Sequence, residues 1–287
     1  MLLNSKILTI TTALLLAAGF LVAAPTSMPM SASAETIITQ LGIDIDGEAG
    51  GEAAYDHSGR SVSFNSDGTR VAIGAPGNDG SFSNAGHVRV YDLTDGAWVQ
   101  TGSDIDGEAT GDSSGFSVSL SSDGTRVAIG APNNNDNGND AGHVRVYDYD
   151  GVDSDADGID KWTQVGSDIH GEAASDASGY SVFLSSDGTR VAIGGVYNDG
   201  NGNNAGHVRV YDYDGVDSDA DFIDKWTQVG SDIDGKAEYD RSGSSVSLSS
   251  DGTRVAIGAP YNDGSFSNAG HVRVYDYDGV DSDADGI

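Results

Sequence analysis

The chain has 287 residues, enough for one large domain or two small ones. Forty-five acidic residues against fourteen basic ones give a formal charge of −31, which excludes nucleic-acid binding through a basic surface, because such a chain repels phosphate at long range. The absence of cysteine excludes disulfide scaffolds, thiolate zinc sites and cysteine nucleophiles, and with 41 glycines and 37% hydrophobic residues any core must be assembled from small pieces.

The first segment reads as an address. Met1 to Lys6 carries one positive charge, Ile7 to Ala24 is apolar apart from a few Thr and one Gly, and Ala32-Ser33-Ala34 offers the small-x-small pattern cut by signal peptidase. Residues 1–34 are therefore expected to be a secretory signal cleaved after Ala34. Pro25 and the small residues that follow favour cleavage over an uncleaved anchor, although the apolar run nearly reaches spanning length. Cleavage removes Lys6 and no acid, leaving 45 acidic against 13 basic residues, a charge of −32. The expected location is secreted or cell surface, with no membrane span after cleavage.

The remainder, 35–287, is one unit written four times. Ser-Asp-Gly-Thr-Arg occurs at 66–70, 122–126, 186–190 and 250–254, and Gly-His-Val-Arg-Val-Tyr-Asp at 86–92, 142–148, 206–212 and 270–276. Both anchors step by 56, 64 and 64 residues, the longer steps coming from an aspartate-rich insertion between Tyr147 and Trp162 and its later copy. Copy one carries extra residues around Gly50-Gly51-Glu52-Ala53. The repeats run over about 36–97, 98–160, 161–224 and 225–287.

Each unit holds four short strand candidates, which in copy two are Trp98–Ile105, Phe116–Ser121, Arg126–Ala131 and His143–Tyr149. Asp123-Gly124 reads as a two-residue hairpin between the second and third, since both positions tolerate positive φ. Val118 and Leu120 alternate with Ser117, Ser119 and Ser121, and Val127 and Ile129 with Ala128 and Gly130. Each sheet thus has a bulky face and a smooth face, suited to stacking in series. Four tandem four-stranded sheets predict an all-β fold, a β-propeller. Ile38-Thr39-Gln40-Leu41-Gly42 is a degenerate copy of Trp162-Thr163-Gln164-Val165-Gly166. Two readings stay open: this strand completes the last sheet and closes a ring, or the array is a fragment of a larger propeller.

Gly115-Phe116-Ser117-Val118 through Val127-Ala128-Ile129-Gly130-Ala131-Pro132 resembles the FG-GAP repeat of integrin α-subunit propellers and their bacterial relatives. The likeness recurs at Gly59–Pro76, Gly179–Val196 and Gly243–Pro260. Copy three departs with Gly194-Gly195-Val196, and the family's Phe before Gly is Ser58, Ser114, Ser178 and Ser242. The family's calcium loop in the middle hairpin is reduced to Asp67-Gly68, Asp123-Gly124, Asp187-Gly188 and Asp251-Gly252, so its ligands are not carried over. The resemblance implies a propeller used in adhesion or recognition.

Calcium is expected, weakly, in the inserted loops. Asp153, Asp155, Asp157 and Asp160, with Gly158 at the sixth place, follow the first half of an EF-hand loop, but Gln164 stands where the bidentate Glu belongs, so affinity is set at about 10⁻⁴–10⁻³ M. Asp217, Asp219 and Asp221 repeat the pattern with Phe222 in place of the glycine. The competing reading is a solvated acidic linker. Asp79-Gly80-Ser81-Phe82-Ser83 and its copy at 263–267 match an Asp-x-Ser-x-Ser metal pattern outside its usual α/β setting and read as loops. His87, His143, His207 and His271 each fall beside an Arg and a Tyr by period-two alternation, a structural cluster in preference to a four-histidine metal ring. Trp98, Trp162 and Trp226 read as blade-packing residues.

No Gly-x-Ser-x-Gly elbow, His-Glu-x-x-His or phosphate loop occurs, and almost every polar group is copied several times. The expected function is therefore a non-catalytic, exported binding or adhesion module for an extracellular protein or glycan. Its rivals are a polysaccharide hydrolase or lyase on a propeller scaffold, with His170 as an example of a residue found in one copy, and a passive spacer within a larger surface protein.

Overall fold

The computed structural model describes residues 38–48, 55–151, 162–213, 215 and 226–277, and over that range the fold is all-β. The sheets lie in the compact unit Gln40–Ile287, distinct from Met1–Thr39. The expected signal segment 1–34 lies outside the described residues, as do Asp153, Asp155, Asp157, Asp160, Asp217, Asp219 and Asp221. Among the described residues no helix is long and apolar enough to cross a membrane.

Four antiparallel sheets follow one another along the chain. Sheet 1 holds β1 (Ser61–Phe64), β2 (Arg70–Ala75), β3 (His87–Thr94) and β4 (Ala97–Gln100), with the two-residue β5 (Ile105–Asp106) also on β3. Sheet 2 holds β6 (Ser117–Leu120), β7 (Arg126–Ala131), β8 (His143–Tyr149), β9 (Trp162–Gln164) and β10 (Ile169–His170). Sheet 3 holds β11 (Ser178–Leu184), β12 (Arg190–Gly195), β13 (His207–Tyr213), β14 (Trp226–Gln228) and β15 (Ile233–Asp234). Sheet 4 holds β16 (Ser245–Leu248), β17 (Arg254–Ala259) and β18 (His271–Asp276). The predicted propeller blades are present as four-stranded units in the first three sheets.

The blades are out of phase with the sequence copies. The stretch Trp98–Ile105, read as the opening strand of copy two, is divided by Gly102 at φ 75° into β4 and β5. Both pieces pair with β3 of the preceding sheet, Leu93 opposite Trp98 and Val88 opposite Ile105. The cause is local: Asp95 and Gly96 both take positive φ, the two-residue turn that matches strand twist, and fold β4 straight back on β3. The hairpin at Asp123-Gly124 exists with a longer loop than expected. Gly124 alone is at positive φ there, the Gly124 amide donates to the Ser121 carbonyl at 3.0 Å, and the Ser121 amide donates to Arg126 at 2.9 Å. The Asp123 carboxylate accepts from the Ser121 hydroxyl and from the amide and hydroxyl of Thr125, so it shapes the turn through its side chain.

The two-faced alternation is what joins the blades. Val118, Leu120, Val127, Ile129 and Tyr147 on the bulky face of sheet 2 pack on Ala72, Val88 and Val90 on the smooth face of sheet 1. Val182, Leu184, Val191, Ile193 and Tyr211 repeat this on Ala128, Val144 and Val146, and Leu248, Val255 and Ile257 on Ala192, Val208 and Val210. The smooth faces also bond: the Leu184 amide donates to Ser119 Oγ and the Leu120 amide to Ser63 Oγ, both at 3.0 Å. Approach is closest at the two glycines of the motif. A Cβ on Gly130 would collide with the carbonyl oxygen of Gly179 in the next blade, the same oxygen that accepts from Ser117 Oγ at 2.8 Å. Among the described residues the outermost faces have no neighbour of this kind. Val62 and Phe64 are 62% and 57% exposed where Val118 and Leu120 are 8% and 7%, and Val272 and Val274 are 68% and 64% exposed where Val144 and Val146 are nearly covered.

One arginine per blade clips it to the next. Arg126 makes a bidentate pair with Asp148 (2.5 and 2.7 Å), donates Nη1 to the Gly188 carbonyl of the following blade at 2.9 Å, and lies 4.5 Å from the centre of the Tyr213 ring. Arg70 and Arg190 repeat the set with Asp92 and Gly124, and with Asp212 and Gly252. Arg254 of the last sheet keeps only its Asp276 pair and is 64% exposed.

Two comparisons test this account. Arg126→Ala is expected to cost about 2–3 kcal/mol, because it strips charged hydrogen bonds from a largely covered site, and Arg254→Ala under about 1 kcal/mol, as for an exposed pair. Gly130→Ala is expected to cost roughly 1–3 kcal/mol or more through overpacking against a backbone oxygen. Gly258→Ala, whose added carbon meets only the Ser245 side chain at close range, is expected to cost less. Urea midpoints of the four variants read both orders, and equal costs within either pair would contradict blade-to-blade clamping.

Candidate functional site

The third strand of every blade opens on histidine, and the polar groups gather there. In sheet 2 the chain leaves β7 at Ala131, and the Asn134 side chain folds the loop: its oxygen accepts the Asp136 amide at 3.0 Å and its Nδ2 donates to buried Asp112 at 3.1 Å. Asn135 Oδ1 accepts the Asp140 amide at 2.8 Å, and the Gly142 amide returns to the Asn134 carbonyl at 2.9 Å, which delivers His143 to the head of β8. The short β10 then lies alongside, with His170 directly opposite His143.

This brings Asp136, His143, Asp168 and His170 together, one ligand-type atom from each lying within 4.8 Å of the others. His143 is 1% exposed. Its Nδ1 has no hydrogen-bond partner and sits 3.6 Å from Asp168 Oδ2. Burial pushes this imidazole down to about 4, with the neighbouring Arg145 guanidinium adding to the effect, so it is neutral at ordinary pH and keeps a lone pair for use. The other oxygen of Asp168 accepts from Gln164 Nε2 at 2.6 Å, which fixes the carboxylate. Arg145 reaches Glu108 at 3.2 Å and the Asp106 carbonyl at 2.7 Å, tying the cluster to the preceding blade.

The sibling blades build the frame with fewer nitrogens. His87 groups with Glu48 and Asp104, and His207 with Glu172 and Asp176 or with Asp232 and Asp234. His87 and His207 are also buried and held below the usual histidine range, by burial first, while burial raises the Glu172 carboxyl. His87, His143 and His207 each sit in a separate cluster, and among the described residues no grouping joins two of the four expected in a ring. His87, Arg89 and Tyr91, with their copies at 143–147 and 207–211, stand at alternate positions of their strands, and each arginine lies over the ring of its tyrosine at 5.5–6.0 Å.

A second recess lies between the turns of sheets 1 and 2. It has a volume of about 580 Å³ and is lined by Asp67, Asp92, Asp123 and Asp150 with Arg70 and Tyr149. The hydroxyl and amide of Thr69 hold the Asp67 carboxyl below the usual range. Asp79 accepts the Asn84 amide and Ser81 bonds the Gly107 carbonyl at 3.1 Å, so Asp79-Gly80-Ser81-Phe82-Ser83 is a structured loop. Trp162 is buried against Tyr149 at 5.2 Å and donates to the Thr101 carbonyl at 3.1 Å, a packing role.

Sequence reasoning singled out His143 and His170 separately and passed over Asp136 and Asp168. The missed signal was positional. At the places of Asp136 and His170 the other copies have Gly80, Gly200, Gly264 and Asp106, Asp234, and the two exceptions, in neighbouring sequence copies, fall in one blade.

Histidine burial sets a pH dependence. The folded pKa values of His87 and His207 lie below the unfolded value of about 6.5, so the unfolded chain takes up protons first as pH falls. Their contribution is fully present above about pH 6.5 and is lost below it. Between pH 7 and 5, urea midpoints of the His87→Gln/His207→Gln variant are expected to fall less steeply than those of the parent chain. Parallel slopes would contradict buried, neutral histidines.

Residues 103–147 match the FG-GAP repeat family. The comparison with curated proteins gives no match. Among solved structures, the chain is similar to a candidate 6-phosphogluconolactonase from Bacteroides uniformis at 12% identity and TM-score 0.45, covering 75% of this chain and 49% of that one. It is also similar to hydrazine synthase from Kuenenia stuttgartiensis at 16% identity and TM-score 0.46, covering 76% of this chain and 58% of that one. The chain therefore spans about half the length of these structures. Residues 103–147 are thus similar to one FG-GAP repeat, and sequence copies of that stretch lie on either side of it.

Proposed function

We propose that the chain is an exported, acidic binding or adhesion module that performs no catalysis and takes an extracellular protein or glycan as its ligand. The observation that carries this reading is the FG-GAP repeat array itself, in which nearly every polar group is copied from blade to blade. Copied groups make repeated contacts along an extended partner, whereas a catalytic centre needs one constellation in one place. The carboxylate-lined recess between sheets 1 and 2 supports the same reading, since its acceptors suit the hydroxyls of a glycan or the cationic side chains of a protein. Export rests on the segment 1–34, and calcium on Asp153, Asp155, Asp157 and Asp160 with the weaker copy at Asp217, Asp219 and Asp221.

The test immobilises the chain and passes extracellular polysaccharides and matrix proteins over it, with calcium or with chelator. Retention without release of reducing ends or unsaturated sugars is expected; release of either product would establish the hydrolase or lyase alternative. In parallel, calcium is expected to raise the melting temperature, and Asp153→Asn/Asp155→Asn/Asp157→Asn to abolish that rise. A melting curve indifferent to calcium and chelator would remove the ion from the account.

A further inference from the structure

In a chain of near-identical copies, residues that depart from the repeat stand out. Two departures in the second blade, Asp136 in place of glycine and His170 in place of aspartate, lie 34 positions apart and converge on the same histidine. His143 meets them with an Nδ1 that, like that of His207, is buried and has no hydrogen-bond partner, a condition protein interiors seldom leave uncompensated. Asp168 completes the set from the turn before β10.

We propose that Asp136, His143, Asp168 and His170 form a site for one zinc-class divalent cation, specific to the second blade.

The donor set identifies the class. Two imidazoles and two carboxylates suit zinc and its first-row neighbours, whereas calcium takes oxygen ligands almost alone. Two ligands of a tetrahedral ion, each about 2.0–2.1 Å from it, lie roughly 3.3 Å apart, close to the 3.6 Å between His143 Nδ1 and Asp168 Oδ2. That separation is too long for a good hydrogen bond and recurs in the sibling blades at 3.6 and 3.5 Å; what the second blade adds to it is the pair Asp136 and His170. The surrounding contacts orient the ligands as metal sites require: Gln164 holds Asp168, the Asn134 side chain holds the backbone at Asp136, and the His170 carbonyl accepts from Arg209 of the next blade at 2.6 Å. Two carboxylates balance the charge of a divalent ion, and a net charge of −31 concentrates cations at the surface. Four protein ligands make a closed site, so the ion staples the loop after β7 to the strap carrying β10 and does not hold a reactive water. The sibling clusters, with one imidazole each, lack this donor set.

The experiment uses the full chain stripped with chelator and titrated with zinc by calorimetry, and with cobalt by its visible spectrum. One zinc per chain, a tetrahedral cobalt spectrum and persistence of binding in a large excess of calcium are expected. Asp136→Gly and His170→Asp restore residues that the sibling blades already hold, so both variants keep the fold. Each is expected to weaken zinc by roughly tenfold or more, since even orienting partners of a ligand contribute 10–100-fold. No binding, several equivalent weak sites, displacement by calcium, or affinity unchanged in both variants would each overturn the proposal.

Discussion

The fold depends on one contact, the seating of the bulky face of each sheet on the smooth face of the sheet before it. A single repeat of this kind cannot bury its hydrophobic face by itself, and stacking on its neighbours covers it. Here Ile129, Ile193 and Ile257 are sealed only because Ala72, Ala128, Ala192 and the valines beside them present a shallow surface to receive them. The two glycines of the repeat motif follow from that constraint. Backbone meets backbone where Gly130 faces Gly179, and the serine hydroxyl at Ser117 satisfies the carbonyl that the contact would otherwise strand.

Serial stacking also accounts for where the polar groups go. The arginine of each Ser-Asp-Gly-Thr-Arg stretch neutralises an aspartate of its own sheet and then reaches into the next turn, so a chain of strongly acidic composition carries its few cations at the seams. The histidines heading the third strands of the first three blades, His87, His143 and His207, are enclosed by the short strand alongside and held neutral by burial. In this frame a new site needs few changes, because the strands already hold three polar positions in place. The second blade differs from its siblings by an imidazole in place of a carboxylate and a carboxylate in place of a glycine hydrogen at that spot.

Much of this was legible before any coordinates. Val118 and Leu120 against Ser117 and Ser119 announced a two-faced sheet, and the bulky faces of copies two, three and four pack as assigned, with Phe183 of copy three standing on the smooth side. The phase of the blades was not legible, because Trp98 is hydrophobic and strand-like wherever it is placed, and only the positive φ of Asp95 and Gly96 sends it back onto β3. Asp123-Gly124 carried a true hairpin signal and a misleading loop length, since Thr125 and Ser121 compete for the aspartate side chain and lengthen the turn. Asp136 and Asp168 looked like ordinary loop acids in a chain full of them, and their meeting with His143 depends on a loop folded by Asn134 and a strand only two residues long.

By itself the sequence determined the repeat, the strand periodicity, the sign of the surface and the FG-GAP likeness, because these are properties of residue order and local sterics. The tertiary structure decided which blade owns each strand, which glycines face a neighbouring carbonyl, and which acids share a histidine. Those outcomes depend on distances between segments 30 to 60 residues apart, and such distances exist only once the sheets have stacked.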